Sequence, residues 1–362
     1  MLCSKMTTTF WIFFFPFLLI KHKAISGRES SASVSSILIF GDSTADPGNN
    51  NYIYTPFKSD FSPYGRDFFN HSATGRFTNG RLANDFIAKY IGLKEMVPAY
   101  LDPSLTIDEL ISGVSFASAG SGFDPLTPSI SNVIPLSDQL SHLKEYRQKV
   151  EAVVGEAKAK EVLSNALFLV SAGTNDFVVN YFTLPIRRRS YTIPRYIDFV
   201  SNGATQFLQE LLDEGARRIG VVGLPPMGCL PLVITLFTNH PILDRGCNEK
   251  FSSVARDYNK ILRKELDALQ VRVRSSGARI AYLDAYTPLE EMIIGHKYGF
   301  DVVNSGCCGT GMVEAAFLCN RNSPVCDDAS KYVFWDSIHP TQKSYHLVFQ
   351  SFRPALDYLV GN

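Results

Sequence analysis

The sequence predicts a three-layer α/β sandwich, in which a central parallel sheet is covered by helices on both faces. Short apolar runs alternate along the chain with stretches whose apolar residues recur at helical spacing. Such alternation is typical of parallel sheets, whose strands are buried on both faces. No internal repeat or low-complexity tract interrupts the chain, so residues 27–362 are assigned to a single domain.

Five short apolar runs are predicted to form the strands of this sheet. In chain order they are Ser36–Phe40, Val114–Phe116, Ala166–Ser171, Arg218–Val222 and Arg279–Leu283. Helices are predicted from about Tyr196 to Glu214 and from about Lys250 to Val273, where the apolar residues follow a helical period.

Ser43 follows the first predicted strand, in the turn Gly41-Asp42-Ser43-Thr44. In open α/β sheets, ligands bind beyond the carboxyl ends of the strands, so a serine at this point can be presented as a nucleophile. The alternative is that Asp42 and Ser43 provide ordinary turn or helix-capping chemistry.

Asp336 and His339 lie close together near the end of the chain, and Pro340 holds His339 in a non-helical setting. A serine hydroxyl is a poor nucleophile at neutral pH, so an imidazole must take its proton and a carboxylate must orient the imidazole. Ser43, His339 and Asp336 supply these three roles. The alternative is that His339 belongs to an ordinary loop and that Asp336 caps a helix beginning near Thr341.

Two further strand ends carry residues that suit a developing oxyanion. Asn175 follows the run Ala166–Ser171, and its amide can donate a hydrogen bond into the crevice that holds Ser43. Gly120 ends the glycine-rich segment after Val114–Phe116, where glycine lets the backbone approach a ligand and turn its N–H inward. Ordinary turn chemistry is the alternative for both.

The chain resembles the GDSL esterases and lipases of the SGNH hydrolase superfamily, and within it the large plant branch. The similar blocks occur in order along about residues 36 to 350 and include Ile39–Ser43, the segment ending at Gly120, Gly173–Asp176 and Asp336–Pro340. Two supporting segments typical of the plant branch are Gly75–Arg81 and Leu224–Pro231.

The resemblance implies a flavodoxin-like strand order and a carboxylic ester hydrolase that acts on lipid or other acyl esters. It implies that Ser43 is the nucleophile, that His339 is the general base and then acid, and that Asp336 orients His339. The oxyanion hole would consist of the Asn175 side chain and the backbone N–H groups of Ser43 and Gly120.

Three residues depart from the family pattern, since Thr44, Ser115 and Ala119 stand where Leu, Asn and Gly are frequent. None of them removes a reacting group. An acyltransferase with the same triad and a non-catalytic binding protein on the same fold remain alternative functions.

Residues 1–26 are predicted to be a secretory signal peptide. Lys5 precedes an apolar stretch from Phe10 to Ile20, which is too short to span a bilayer. A short signal anchor is the alternative, favoured by the basic residues 21–23. The mature chain is predicted to be secreted without a membrane span, and Asn70-His71-Ser72 is a glycosylation sequon.

Six cysteines follow the predicted leader, namely Cys229, Cys247, Cys307, Cys308, Cys319 and Cys326. An even number in an oxidising secretory route favours disulfides, with the first two closing a local loop and the other four tying an insertion before Asp336. The alternative is a zinc site built from the last four. Adjacent cysteines without a Cys-x-x-Cys pair fit structural zinc spacing poorly.

The charge balance argues against nucleic acid as a partner, since 35 Lys and Arg residues meet 35 Asp and Glu residues. The local run Arg187–Arg189 lies between Pro185 and Pro194 and is predicted to be a solvated loop. No His-Glu-x-x-His or phosphate-binding glycine motif is present, so neither a metal nor a cofactor is predicted. The expected partner is a small-molecule or lipid ester.

Overall fold

The computed structural model describes Met1, residues 34–295 and residues 297–361. The predicted signal peptide therefore lies outside the described residues, except for Met1. Every helix and strand described belongs to the compact unit Ala32–Asn362. None of the described helices combines the length and the apolar character needed to cross a membrane.

Four parallel strands form the central sheet, in the spatial order β1-β2-β3-β4. They are β1 (Ile37–Gly41), β2 (Leu167–Ser171), β3 (Arg218–Val222) and β4 (Arg279–Leu283). All of β1 and nearly all of β2 are buried, as expected for strands covered on both faces. The predictions of β3 and β4 are confirmed residue for residue, while β1 begins and ends one residue later than predicted and β2 begins one residue later.

The predicted strand Val114–Phe116 is wrong in extent, since only Ser115 is paired, through isolated parallel bridges to Ile39 on one side and Ala99 on the other. The segment still lies along the edge of β1, because Ile39 exchanges backbone hydrogen bonds with Val114 (3.1 Å) and Phe116 (2.7 Å). The Asn49 side chain donates to the Ser115 carbonyl at 2.8 Å, so a side chain replaces part of the outer ladder. When the four strands and this segment are numbered 1 to 5 along the chain, the segment is number 2. Their spatial order is then 2-1-3-4-5, which is the flavodoxin-like order.

Ten α-helices are present in the described part of the chain. In order, α1 to α10 are Ala83–Tyr90, Ile107–Ile111, Leu126–Ser131, Leu136–Val154, Glu156–Asn165, Ile193–Asp213, Pro231–Phe237, Glu249–Val273, Tyr286–Ile293 and Gln342–Val360. Helix α8 packs on α6 and β4, whereas α10 packs on α1, α9, β3 and β4. The three-layer α/β/α prediction is confirmed.

A small second core supports the far end of the chain. Its buried residues are Tyr64, Phe77, Ala119, Cys307, Cys308, Ala316, Cys319, Ala329 and Trp335. Cys307 and Trp335 directly follow the two strands of a parallel pair, β5 (Val302–Gly306) and β6 (Tyr332–Phe334). The six cysteines form three disulfides, Cys229–Cys247, Cys307–Cys326 and Cys308–Cys319. The last two tie the segment 307–326, which we call the insertion, and leave no free thiolate for the zinc alternative.

The run Arg187–Arg189 forms a short 3-10 turn, and only part of the prediction for it holds. Arg188 and Arg189 are exposed, but Arg187 donates to both carboxylate oxygens of the fully buried Asp124, each at 2.6 Å. Burying a carboxylate without a partner is energetically costly, which accounts for the pairing of Asp124 with Arg187. No local sequence signal indicated that these two residues would lie side by side.

Candidate active site

Ser43 lies in the turn after β1, at the carboxyl edge of the sheet. Gly41 ends β1 with a φ of 135°, and a Cβ at this position would lie 1.8 Å from the carbonyl oxygen of Ser171. Only glycine allows this conformation and this approach of β1 to β2. The buried side chain of Gln139 accepts from the Gly41 N–H (2.8 Å) and donates to the Gly41 carbonyl (2.9 Å). The backbone that leads into Ser43 is therefore held by an amide that the sequence analysis missed.

Asp42 and Thr44 stabilise the turn around Ser43. The Asp42 carboxylate accepts hydrogen bonds from the Thr44 N–H (3.0 Å) and from the Thr44 hydroxyl (2.8 Å). The Thr44 hydroxyl also lies 2.7 Å from the Ser171 hydroxyl at the end of β2. Burial raises the pKa of Asp42 to about 6, although the Thr44 hydrogen bonds act in the opposite direction. A leucine in place of Thr44 could make neither side-chain bond.

Ser43, His339 and Asp336 come together in one hydrogen-bonded chain. His339 Nε2 lies 2.8 Å from Ser43 Oγ, and His339 Nδ1 lies 2.7 Å from Asp336 Oδ2. All three residues are buried, and Ser43 retains 8% of its surface. In this arrangement the imidazole can take the serine proton while the carboxylate holds the imidazole in the required orientation.

The loop that carries Asp336 and His339 is fixed by its own backbone. Asp336 Oδ1 accepts from the N–H groups of Ile338 (2.8 Å) and His339 (2.7 Å). The Trp335 N–H donates to the His339 carbonyl at 2.7 Å. Helix α10 is capped by the side chain of Thr341 instead of Asp336. The alternative role of Asp336 as a helix cap is therefore wrong.

A fourth side chain joins this group, and the sequence analysis missed it. The Tyr64 hydroxyl donates to Asp336 Oδ2 at 2.7 Å, and the Ala316 N–H donates to the Tyr64 oxygen at 2.9 Å. Burial, and next the charge of Asp336, raise the pKa of Tyr64 well above its ordinary value. Tyr64 lies far from Asp336 in sequence and follows no strand or helix period, so no local pattern pointed to it.

Of the three residues predicted to form an oxyanion hole, two line the pocket beside Ser43 and one does not. The Asn175 amide donates one N–H to the Ser121 carbonyl at 3.0 Å, which orients the amide and leaves its second N–H available. Within the described residues, the N–H groups of Ser43 and Gly120 donate to no protein acceptor. Ser43 and Asn175 line the same pocket, whereas Gly120 is not among its lining residues. Its neighbour Ser121 accepts the hydrogen bond from the Asn175 amide.

Two buried carboxylates hold these segments to one another. Asp46 accepts from the N–H of Asn49 (2.6 Å) in the first segment and from the N–H of Ala119 (2.9 Å) beside Gly120. Asp176, next to Asn175, accepts from the Phe123 N–H at 2.8 Å. Burial raises the pKa of Asp46 to about 6 and that of Asp176 to about 7. Both residues lie next to candidate oxyanion donors, and neither is among the residues that line the pocket beside Ser43.

The pocket beside Ser43 and His339 is mainly apolar. Its apolar walls come from the ends of β3 and β6, from the loops that follow these strands and from helices α9 and α10. The apolar residues in these walls include Val222, Leu224, Leu230, Leu289, Phe334, Ile338, Val348 and Phe352. Burying alkyl surface against such walls is favourable, so the pocket suits an apolar group next to Ser43. No His, Cys, Asp and Glu cluster suited to a metal occurs in the residues described.

Asn70 lies away from this pocket, at the surface. Its side chain is exposed, and its backbone has a φ of 53° in a short turn. Asparagine tolerates this left-handed conformation better than most residues do. The sequon is therefore accessible for modification.

Comparison with known proteins gives one consistent family. The model of the GDSL-like lipase/acylhydrolase family matches residues 37–352. A GDSL esterase/lipase of Arabidopsis thaliana is 56% identical over 340 residues, which cover 94% of this chain and 91% of the relative. A second Arabidopsis thaliana GDSL esterase/lipase is 44% identical over 322 residues, covering 88% of this chain and 90% of its own. A crystal structure of a lipase from a goat rumen metagenome covers 89% of this chain and 97% of its own, with a TM-score of 0.40 and 12% identity.

Proposed function

Because the chain belongs to the GDSL-like lipase/acylhydrolase family and is a carboxylic ester hydrolase, we propose that it works through an acyl-enzyme on Ser43. The observation that supports this mechanism most directly is the 2.8 Å contact between Ser43 Oγ and His339 Nε2. A nucleophile within hydrogen-bond reach of its base, with the base oriented by a third group, is the arrangement that nucleophilic catalysis requires.

In the acylation step, Ser43 Oγ attacks the ester carbonyl carbon while its proton moves to His339 Nε2. The carbonyl π electrons move onto oxygen, and the resulting oxyanion accepts hydrogen bonds from the Asn175 amide and the N–H groups of Ser43 and Gly120. Collapse of this intermediate breaks the bond to the leaving alcohol, which takes the proton from His339. Asp336 holds the imidazole throughout and stabilises its positive charge.

In the deacylation step, water replaces the alcohol. His339 takes a proton from this water, whose oxygen attacks the acyl carbon. The second tetrahedral intermediate collapses with return of the proton to Ser43 Oγ and release of the carboxylic acid. Transfer to an alcohol follows the same route with a different acceptor.

The apolar pocket supports an ester whose acyl part is largely hydrocarbon. A panel of esters with increasing acyl length, assayed with and without added alcohol, tests the proposal. Free acid as the main product supports hydrolysis, and a transferred ester as the main product would favour the acyltransferase alternative. A purified, folded chain that turns over none of the esters would contradict the proposed activity.

Asn175→Ala should lower kcat by about 100- to 1,000-fold with little change in KM, because an oxyanion donor acts on the transition state more than on the bound ester. Steady-state kinetics on one activated ester measure both constants. Asn202→Ala is the matched control, since Asn202 is an exposed amide on α6 and is not among the residues that line the pocket. The control should keep the parent kcat, and a fully active Asn175→Ala enzyme would remove Asn175 from the site.

We further propose that residues 1–26 are a signal peptide and that residues 27–362 form the secreted enzyme. Three disulfides and an exposed sequon at Asn70 support passage through an oxidising secretory route. Mass mapping of the non-reduced secreted chain should find an N-terminus near Gly27, a glycan on Asn70 and the three cysteine pairs of the structure. Free thiols at these six cysteines, or a retained leader, would contradict this proposal.

A further inference from the structure

We propose that Tyr64 is a positioning residue of the active site, which fixes the Asp336 carboxylate and thereby the orientation of His339. The inference rests on the proposed catalytic roles of Asp336 and His339 and adds a residue outside their loop. It is carried by the direction of two hydrogen bonds, by the rigid packing of the Tyr64 ring and by the set of donors around Asp336.

The direction of the Tyr64–Asp336 hydrogen bond is fixed by Ala316. A backbone N–H can only donate, so the Ala316 N–H at 2.9 Å occupies a lone pair of the Tyr64 oxygen. The single hydroxyl proton is then directed to Asp336 Oδ2 at 2.7 Å. The raised pKa of Tyr64 keeps this proton in place over the working range of an esterase.

Ala316 is itself held in an unusual position. It has a φ of 49°, a left-handed conformation that is unfavourable for a residue with a Cβ. It lies within the loop closed by the Cys308–Cys319 disulfide, and the neighbouring Glu314 carbonyl accepts from the Ser337 N–H at 2.8 Å. The insertion therefore donates a hydrogen bond to Tyr64 from Ala316, whose backbone conformation is strained. The hydrogen bond between Glu314 and Ser337 holds the insertion beside Asp336.

The ring of Tyr64 has little freedom to move. It is 1% exposed and makes edge contacts with Phe61, Phe77 and Trp335, at centroid distances of 5.9, 5.7 and 6.4 Å. Phe77 also packs against the His339 ring, at a centroid distance of 4.8 Å. The hydroxyl is thus aimed by aromatic packing, and a phenylalanine at position 64 would keep these ring contacts.

Asp336 contacts four hydrogen-bond donors, and Tyr64 supplies the one that comes from a distant part of the sequence. Its Oδ1 accepts from the two backbone N–H groups of Ile338 and His339 and also lies 2.9 Å from His339 Nδ1. Its Oδ2 is shared between His339 Nδ1 and the Tyr64 hydroxyl. Without the Tyr64 proton, Oδ2 would have His339 as its remaining partner in the described residues, and the buried carboxylate would hold a protonated imidazole more strongly.

Tyr64→Phe should therefore lower kcat by about 10-fold, because Asp336 loses a hydrogen bond that helps it to orient His339. KM should stay unchanged. The acidic limb of the pH profile of kcat/KM should move to higher pH, because a protonated His339 loses its proton less readily. The other titratable groups that face Asp336 and His339 are Asp42 and Tyr345, and both remain in the variant.

Tyr146→Phe is the matched control, since Tyr146 is equally buried and its hydroxyl contacts Ser36 (3.4 Å), at the start of the sheet far from the pocket. It should change neither kcat nor the pH profile. A second test repeats Tyr64→Phe in an Asp336→Ala background, where it should cost nothing further if Tyr64 acts through Asp336. An equal cost in both backgrounds, or a folded Tyr64→Phe enzyme with parental kcat and pH profile, would overturn the proposal.

A measurement that needs no turnover separates this proposal from the proposed function. The proton between His339 Nδ1 and Asp336 should give a downfield NMR resonance that shifts in Tyr64→Phe and stays in place in Tyr146→Phe. If the parent chain cleaves no ester but the resonance shifts, the proposed function fails and the positioning role of Tyr64 stands. A resonance that Tyr64→Phe leaves in place would contradict that role.

Discussion

Ser43→Ala is expected to abolish ester hydrolysis, with a loss of roughly 10⁶-fold in kcat, because the covalent intermediate can no longer form. The fold should persist, since the change removes one oxygen from a turn that Gly41, Gln139 and Asp42 hold independently. Kinetics on an activated ester and a thermal unfolding curve of the same preparation measure the two outcomes.

Neighbouring serines provide the controls for this experiment. Ser121 and Ser171 lie at the ends of the segments that approach Ser43, and neither contacts His339 through its hydroxyl. A serine-directed phosphonate should label Ser43 alone, in the parent and in Ser121→Ala. Near-normal turnover by Ser43→Ala, or a label found on Ser121 or Ser171, would show that the nucleophile is a different residue.

The sheet could be predicted from sequence because its strands are buried on both faces. Such strands are continuous apolar runs, and β3 and β4 were bounded on both sides by helical or polar residues. The segment Val114–Phe116 has the same composition, but only Ser115 is bridged to neighbouring backbone, and its carbonyl also accepts from the side chain of Asn49. The composition of a short run does not report a side chain that competes for its backbone from a distant part of the chain.

Ser43, Asn175 and Asp336 could be proposed from sequence because each follows an apolar run within a few residues, and His339 because it directly precedes Pro340. The supporting contacts could not, since Tyr64 to Asp336 and Gln139 to Gly41 join residues 272 and 98 positions apart. Arg187 shows the same limit, because its buried partner Asp124 is 63 positions away. Local patterns indicate where the chain turns, whereas the pairing of polar side chains depends on the tertiary fold.

His339→Ala should lower kcat about as much as Ser43→Ala, roughly 10⁶-fold, because a serine without its base remains a neutral hydroxyl. Added imidazole should restore part of the activity if the vacated space admits it. His346→Ala is the matched control, since His346 is exposed on α10 seven positions further along and contacts Phe86. Parental activity in His339→Ala would exclude it as the base.

Asp336→Ala should lose less, roughly 10⁴-fold in kcat, because His339 keeps its chemistry but loses its fixed orientation. The substitution also leaves the Tyr64 hydroxyl and two backbone N–H groups without their acceptor in a buried loop, so the unfolding midpoint should fall as well. Asp327→Ala, at an exposed position in the preceding segment, controls for loss of a carboxylate. Because an orienting group can act only through the base it orients, adding Asp336→Ala to His339→Ala should reduce kcat no further. A clear further loss in the double variant would assign Asp336 a role independent of His339.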